Sequence, residues 1–218
     1  MRLALLVDFD ETACEQNVAE LLLARFCADG WQDLRRAFRA GRITLREYQE
    51  TAFRQVRATP EEMAGFVRAH ARLRPGWEDL VAWARRQDIP LAIVTNGLGF
   101  YARALLEPYL GQGVALYAVE ARFGTDGVRY EYPYEEPGRD CWGYGNCKCR
   151  VLDLYRQRGY RVAYIGDSAR SDLCPALSAD LRFARAGLRE RFLQAGVPHH
   201  EFTDFYGVLK ALREVARD

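Results

Sequence analysis

Near its amino end the chain reads Leu3-Ala4-Leu5-Leu6-Val7-Asp8-Phe9-Asp10-Glu11-Thr12. Its five apolar residues are typical of a strand buried on both faces, as in a parallel sheet. Two carboxylates, Asp8 and Asp10, follow at the point where α/β folds open into a ligand-binding crevice. Because strand side chains alternate, the two acids should point in different directions. This segment alone fits a solvated acidic turn equally well, and the rest of the chain decides between the two interpretations.

Length and composition describe an ordinary globular chain. It has 218 residues, 49% of them hydrophobic, and a formal net charge of +1. The length suits one large domain, or one domain with a smaller insert. The charge gives no attraction to nucleic acid or acidic membranes, and no apolar run approaches the ~20 residues of a membrane span. The start lacks the layout of a signal peptide, so we expect a cytoplasmic protein without nucleic-acid or membrane partners.

Residues 14–73 contain helix signals and no strand signal. Helical periodicity begins at Val18 and again at Trp31. Thr44 with Glu47 forms a capping box that opens a third helix, predicted to reach Val56. Thr59-Pro60 opens a fourth helix, predicted to end near Arg72. Four successive helices argue against a simple crossover between two strands, and predict a helical bundle (14–73) inserted into a core formed by 1–13 and 74–218.

From residue 75 onward, strands and helices alternate. Buried strands are predicted at 90–94, 161–165 and 181–184, and another at 114–119 leads into a hairpin that turns at Asp126-Gly127. His199 and His200 follow a proline and are predicted to lie in a surface loop. The alternation predicts an α/β fold, a Rossmann-like doubly wound parallel sheet.

Polar residues follow the buried strands. Thr95-Asn96-Gly97 comes after the second strand, and 166–172 after the third includes Asp167 and Asp172. Parallel strands place their carboxyl ends on one edge, so these groups can converge with the first acids. Clustered carboxylates repel unless a cation lies among them, and oxygen ligands without histidine favour Mg²⁺, which commonly completes its shell with substrate phosphate.

Lys148 stands out by composition. Only it and Lys210 are lysines among 31 basic residues, which leaves 31 − 2 = 29 arginines. A lysine kept in such a chain suggests a need for a compact ammonium, although chance also explains one. Lys148 opens a predicted helix between the second and third buried strands. It could hold phosphoryl oxygens at the same edge of the sheet.

These motifs resemble, in order, those of haloacid-dehalogenase-superfamily phosphatases, over nearly the whole chain. The first is Asp8-Phe9-Asp10-Glu11-Thr12, the second Thr95, the third Lys148, and the fourth Gly166-Asp167-Ser168-Ala169-Arg170-Ser171-Asp172. The 14–73 insert is similar to the cap of phosphoserine-phosphatase-like members. The resemblance implies a Mg²⁺-dependent phosphomonoester hydrolase acting on a small phosphorylated metabolite.

The resemblance also implies roles for individual residues. Asp8 would be the nucleophile that forms an aspartyl-phosphate, and Asp10 the general acid and base whose carbonyl binds Mg²⁺. Asp167 would bind the metal with Asp8. Asp172 would hold a metal-bound water or orient Lys148, and Ser171 could share that role. Thr95 with the Asn96-Gly97 backbone would bind phosphate, together with Lys148.

Within the superfamily, the chain resembles one branch most closely. Gly145-Asn146-Cys147-Lys148, 172–176 and 183–185 are similar to that branch. It holds the 2-hydroxy-3-keto-5-methylthiopentenyl-1-phosphate phosphatases and the phosphoethanolamine/phosphocholine phosphatases. Two departures matter. Asn17 stands where phosphoserine phosphatases carry a glutamate, and Glu11 stands where many members have glycine.

Several alternatives stay open at this point. The same core could transfer phosphate to another hydroxyl, or bind a phosphorylated metabolite without turnover. Cys141, Cys147 and Cys149 could bind zinc, but their spacing is unusual and thiols packed around Lys148 are favoured. Aromatic residues of the 130–144 region could line a substrate entrance or simply cover the hairpin: Tyr130, Tyr132, Tyr134, Trp142 and Tyr144. The hairpin near Thr125 could also extend a sheet across a homodimer.

Overall fold

A seven-stranded sheet forms the centre of the molecule. The structure is a computed structural model, which describes residues 2–124, 127–139 and 141–215, apart from the Trp142 side chain. The strands are β1 (Arg2–Val7), β2 (Leu91–Leu98), β3 (Ala115–Gly124), β4 (Gly127–Glu131), β5 (Tyr160–Gly166), β6 (Leu181–Ala184) and β7 (His200–Glu201). Their order across the sheet is β4-β3-β2-β1-β5-β6-β7.

Ten α-helices accompany these strands in the described part of the chain. They are α1 (Val18–Phe26), α2 (Trp31–Arg39), α3 (Leu45–Phe53), α4 (Pro60–His70), α5 (Trp77–Arg86), α6 (Gly99–Leu110), α7 (Lys148–Gln157), α8 (Leu173–Ser178), α9 (Ala186–Ala195) and α10 (Phe205–Val215). Apart from α1–α4, the helices connect or follow successive strands.

The sheet is parallel except at its hairpin. β1 pairs in parallel with β2 on one side and β5 on the other, with Val7 opposite both Ile93 and Ile165. Alternate β1 residues face opposite sides of the sheet: Leu5 and Val7 join one hydrophobic core, and Ala4 and Leu6 join the other. Burial on both faces explains the continuous apolar run, and the predicted α/β doubly wound sheet is confirmed.

Two strands differ from the sequence prediction. β2 was predicted to end at Val94 but continues to Leu98, with an irregular pairing to β3 between those residues. The residues of this continuation are mostly not apolar, so the hydrophobic pattern did not predict that the strand extends over them. His200, predicted to lie in a loop, begins the two-residue edge strand β7. A strand this short has no alternation to detect, and His200 is exposed as expected.

Residues 14–73, called here the four-helix segment, contain α1–α4 between β1 and β2. The predicted Thr44 capping box is present, with its Oγ1 accepting the Glu47 N–H at 3.1 Å. α3 ends at Phe53 rather than Val56, because Val56 pairs with Cys27 in an isolated bridge. α4 ends at His70, two residues before the predicted end. The start signals therefore located the helices better than the apolar pattern located their ends.

Side chains on two sides attach the four-helix segment to the rest of the chain. Arg170, just beyond β5, donates to the backbone carbonyls of Phe38 (3.3 Å) and Arg39 (2.7 Å). On the other side Arg46 pairs with Glu135 at 2.7 Å. The segment thereby closes over the carboxyl edge of the sheet.

The predicted hairpin is formed by β3 and β4, which are antiparallel and pair up to Gly124 opposite Gly127. Its predicted turn at Asp126, and Thr125 beside it, lie outside the described residues. The homodimer through this edge remains a prediction. Among the described residues, no helix has the length and apolar character needed to cross a membrane.

Candidate functional site

The path of the chain through the sheet creates one crevice. From β1 the chain moves outward through β2 and β3, then returns to place β5 on the other side of β1. Such a reversal leaves a gap between the connections at the carboxyl ends of the two central strands, where α/β proteins bind ligands. Asp8 follows β1, and Asp167 follows β5. The structure thus brings the first and fourth predicted motifs together at this gap.

Lys148 joins two of the carboxylates. Its Nζ lies 2.6 Å from Asp8 Oδ1 and 2.7 Å from Asp172 Oδ1, and all three residues are buried. Burial disfavours the ammonium, but the two carboxylates outweigh it and raise the pKa of Lys148. Burial and the neighbouring Asp172 raise the pKa of Asp8, against the lowering effect of Lys148. The cluster therefore holds more negative charge than one lysine balances.

Asp172 is occupied entirely by protein contacts. Its Oδ1 also accepts from the Tyr164 hydroxyl at 2.7 Å, and its Oδ2 accepts the backbone N–H groups of Asp167 (3.1 Å) and Ser168 (2.9 Å). A Cβ at Gly166 would lie 2.8 Å from the Asp172 carboxyl carbon, so this packing needs glycine there. These contacts suit the orienting of Lys148. Ser171, the alternative residue, lines the crevice, and its backbone N–H donates to Ser168 Oγ.

Asp10 has different partners from Asp8, and both acids lie beyond the end of β1. Its Oδ1 accepts the Val18 N–H at 2.7 Å at the start of α1, and its Oδ2 accepts the Tyr101 hydroxyl at 3.2 Å. Burial raises the pKa of Asp10 to about 6, against the lowering effect of those donors. A Cβ on Gly97 would come within 2.8 Å of Asp10 Oδ2, so glycine leaves room for this carboxyl group. A carboxyl group with such a pKa can carry a proton near neutral pH.

The second motif lies beside this carboxyl group. Thr95 is buried, and its Oγ1 accepts the Gly97 N–H at 2.9 Å. The Asn96 side chain instead donates to the Asn146 carbonyl at 2.6 Å, which connects β2 to the loop before Lys148. The Asn96 amide thus supports the position of Lys148, while the Thr95 hydroxyl lies on the crevice wall.

The turn after β1 is held by an arginine that sequence reasoning missed. Glu11 has φ of +59°, in the left-handed region that favours glycine, so the departure from glycine noted in the sequence falls at a position that a glycine would suit. Arg74 donates at 2.8 Å to the backbone carbonyls of both Glu11 and Thr12, and is itself 8% exposed. With 29 arginines in the chain, nothing in the pattern singled out this one. The one signal for Arg74 would have been its position next to Pro75, where the predicted alternation of strands and helices begins.

The acidic groups fit a hard divalent cation. Carboxylate oxygens of Asp8, Asp167 and Asp172 lie within 4.8 Å of one another. The Thr12 hydroxyl donates to Asp167 at 2.8 Å and orients that carboxylate. An oxygen-only set with excess negative charge suits Mg²⁺. Because Asp172 is saturated by protein donors, Asp8 and Asp167 are better placed to contact an ion.

A cavity of about 440 Å³ extends from these carboxylates to the four-helix segment. Its inner wall carries the predicted motif residues Asp8, Asp10, Thr95, Asn96, Gly97, Lys148 and Asp167. Its outer wall includes Phe38, Leu45, Tyr48 and Gln49, beside Arg35 paired with Glu20 at 2.5 Å. A small molecule could bind with one end at the carboxylates and the other end at this outer wall of apolar and polar side chains.

The aromatic residues after the hairpin divide between two roles. Tyr144 lines the cavity. Tyr132 donates its hydroxyl to Glu50 at 2.7 Å, and Tyr134 packs edge-on against Tyr117. Most of the described aromatic residues therefore contact neighbouring helices and strands rather than the cavity. The Trp142 side chain, which the prediction included, lies outside the described residues.

Known proteins resemble this chain over nearly all its length. A family model of haloacid dehalogenase-like hydrolases matches residues 5–176. The 2-hydroxy-3-keto-5-methylthiopentenyl-1-phosphate phosphatase of Geobacillus kaustophilus (strain HTA426) is 32% identical, over 98% of this chain and 97% of the relative. The protein of the same name from Geobacillus thermodenitrificans (strain NG80-2) is 30% identical over the same shares. A substrate-bound phosphoserine phosphatase structure matches with a TM-score of 0.71, at 15% identity, over 97% of this chain and 98% of that one.

Proposed function

The chain belongs to the haloacid dehalogenase-like hydrolase family and is a phosphatase of it, and we propose that it is a Mg²⁺-dependent phosphomonoester hydrolase acting through an aspartyl-phosphate. The observation that carries this proposal is the meeting of Asp8, Asp167 and Lys148 at the gap between β1 and β5. We propose Asp8 and Asp167 as metal ligands, with the Asp10 carbonyl. Mg²⁺ would neutralise phosphoryl charge so that a carboxylate can approach phosphorus.

Asp8 is the proposed nucleophile. An Asp8 carboxylate oxygen forms a bond to phosphorus as the ester P–O bond breaks, and the departing oxygen takes a proton from Asp10. Water then attacks the phosphorus, gives its proton to Asp10, and releases phosphate and the free Asp8 carboxylate. Asp10, with its raised pKa, suits both proton transfers. Lys148 and Thr95 are proposed to hold the phosphoryl oxygens, with the Gly97 backbone beside them.

The four-helix segment is proposed to act as a cap domain over a core of residues 1–13 and 74–218. It supplies the outer wall of the cavity, and so the part of the substrate beyond the phosphate would contact it. Asp172 is proposed to orient Lys148, which its contacts support more than direct metal binding.

The proposed substrate is 2-hydroxy-3-keto-5-methylthiopentenyl-1-phosphate, the compound in the relatives' names. Phe38, Leu45 and Tyr48 offer an apolar wall for a methylthio tail. Phosphoserine is the weaker alternative. Asn17 accepts the Glu20 N–H as the cap of α1, and Glu20 is paired with Arg35, so an ammonium group finds no uncommitted carboxylate at these two positions. Glu11 is the cavity acid that would have to receive the ammonium group of phosphoserine, phosphoethanolamine or phosphocholine.

The test is phosphate release from a generic aryl phosphate, with Mg²⁺ or with EDTA, by the wild-type and Asp8→Asn proteins. We expect Mg²⁺-dependent release that Asp8→Asn lowers at least about 10³-fold, because the nucleophile is lost. Asp153→Asn, a change at an exposed ion pair on α7, is the matched control and should keep full activity. The kcat/KM values of the four candidate metabolites then rank them as substrates. Tight metabolite binding without release, by folded wild-type protein, would replace this proposal with a non-catalytic binding module, and phosphate appearing on an added alcohol would indicate transfer.

A further inference from the structure

Four cysteines from separate parts of the chain gather behind Lys148. Cys141, Cys147 and Cys149 are buried, and their sulfur atoms lie within 4.8 Å of one another. Cys174, exposed on α8, places its sulfur 2.9 Å from that of Cys149. The spacing of the first three suggested zinc only weakly, because it is not the usual paired C-x-x-C. Cys174, 25 residues beyond Cys149, was not part of that prediction.

The sulfur positions form a connected group rather than two isolated pairs. Cys141 and Cys147 are 2.9 Å apart at sulfur, and a hydrogen bond links the Cys147 and Cys149 side chains. Disulfide sulfurs lie about 2.05 Å apart, so both 2.9 Å pairs are free thiols. Zinc–sulfur bonds of about 2.3 Å in a tetrahedron place sulfurs about 3.8 Å apart. Small shifts of these four side chains would reach that arrangement.

The surroundings favour thiolate at Cys147. Cys147 caps α7, and its sulfur accepts the Arg150 backbone N–H at 3.4 Å. A helix N-terminus stabilises a negative sulfur. The described ligand cluster contains neither a carboxylate nor a histidine. An all-thiolate set selects a soft or borderline ion such as zinc over Mg²⁺.

We propose that Cys141, Cys147, Cys149 and Cys174 bind one structural zinc ion, separate from the proposed Mg²⁺ site. Binding would exchange the thiol protons for the metal. The ion would fasten the loop that precedes α7 to α8. Lys148 lies in the chain between two of the ligands, so the ion would also fix the backbone that carries it. This last consequence rests on the proposed role of Lys148, whereas the metal site itself does not.

The test is a titration of reduced, metal-free full-length protein with Co²⁺, an ion that reports tetrahedral thiolate binding through its charge-transfer absorption. We expect the absorption to saturate at one Co²⁺ per chain and to be displaced by zinc, even with Mg²⁺ in excess. Elemental analysis of zinc-loaded protein should give one zinc per chain, and zinc should raise the melting temperature without substrate.

Variants assign the ligands. Cys147→Ser should weaken zinc more than about 100-fold, since loss of a group that merely supports a ligand already costs about 10- to 100-fold. Cys174→Ser, at an exposed position, should fold normally and also weaken zinc at least about 10-fold. Cys27→Ser, at a cysteine on the four-helix segment, is the control and should bind like wild type.

Three results would overturn the inference. The first is no charge-transfer absorption in the reduced protein, and the second is equal zinc affinity in the Cys174→Ser and Cys27→Ser variants, which would remove the fourth ligand. Disulfides at 141–147 and 149–174 in zinc-free protein purified without reductant would overturn it as well. A protein that hydrolyses phosphate esters but binds no zinc refutes only the metal site. One that binds zinc without hydrolysis refutes only the proposed function.

Discussion

Asp172 shows how one buried residue can set the chemistry of another. Each of its oxygens accepts two donors, among them Lys148 and the Tyr164 hydroxyl. The sequence identified Asp172 as a motif residue but left its role open between the metal and the lysine. Only the fold brings Tyr164 and the two backbone N–H groups to it. In the sequence, Tyr164 has the pattern of an apolar core residue in a buried strand. The partner of its hydroxyl group cannot be inferred from the sequence.

Asp172→Asn tests this arrangement. In asparagine an NH₂ group replaces one of the two acceptor oxygens and faces two of the existing donors, which then lose their acceptor. We therefore expect the free energy of unfolding to fall by about 2–3 kcal/mol. With Lys148 less well held, kcat should fall about 100-fold with little change in KM. Urea unfolding and steady-state kinetics measure the two effects. Asp33→Asn, at an exposed pair with Arg36, should change stability by less than about 0.5 kcal/mol. Full kcat in Asp172→Asn would show that Lys148 needs no such partner.

At the scale of elements, the turn after β1 depends on a residue far along the chain. The strand itself follows from its apolar run, and α1 from the helical periodicity that begins at Val18. The shape of the turn between them does not. Glu11 occupies a left-handed conformation that costs an L-residue roughly 1–2 kcal/mol. Arg74 offsets that cost by binding the two turn carbonyls, a long-range contact that no local pattern encodes.

Arg74→Met should therefore destabilise the turn. Methionine keeps the apolar stem but leaves the Thr12 carbonyl without its arginine donor and the Glu11 carbonyl with Arg185 alone, at a cost of about 2 kcal/mol in the free energy of unfolding. Denaturant melts of the metal-free protein measure the change. The neighbouring Arg72→Met is a matched control, because Arg72 is exposed and bonds only local carbonyls. Equal free energies of unfolding for the two variants would contradict the structural role of Arg74.

For the whole molecule, the sequence predicted the order of layers and the edge where the motifs meet. The parallel sheet, the four helices of the four-helix segment, and the hairpin all follow from hydrophobic period and turn residues. The closing contacts between the four-helix segment and the rest were not predicted. They join exposed arginines to distant partners, and surface arginines carry no positional signal in a chain with so many.

Arg170→Ala tests the contact at the cavity mouth. Loss of its two bonds to the four-helix segment should weaken closure by about 1 kcal/mol, which corresponds to about a 5-fold higher KM for the metabolite. An aryl phosphate, which relies less on the outer wall, should change less. Initial-rate kinetics with both substrates provide the comparison. Arg189→Ala, at an exposed pair with Glu201, should alter neither KM, and a parallel rise for both substrates would place Arg170 at the phosphate instead.

The acceptors of Arg170 are main-chain oxygens, and this has an evolutionary consequence. Phe38 and Arg39 both line the cavity, yet it is their carbonyl groups that hold Arg170. Every amino acid provides a carbonyl. A diverging lineage, or a directed-evolution library, can therefore exchange both side chains to accept a different alcohol while the two hydrogen bonds stay intact. Only the contact of the Arg170 guanidinium with the Phe38 ring, 5.9 Å from its centroid, would be lost. Substrate selectivity and the attachment of the four-helix segment can in this way evolve independently at the same two positions.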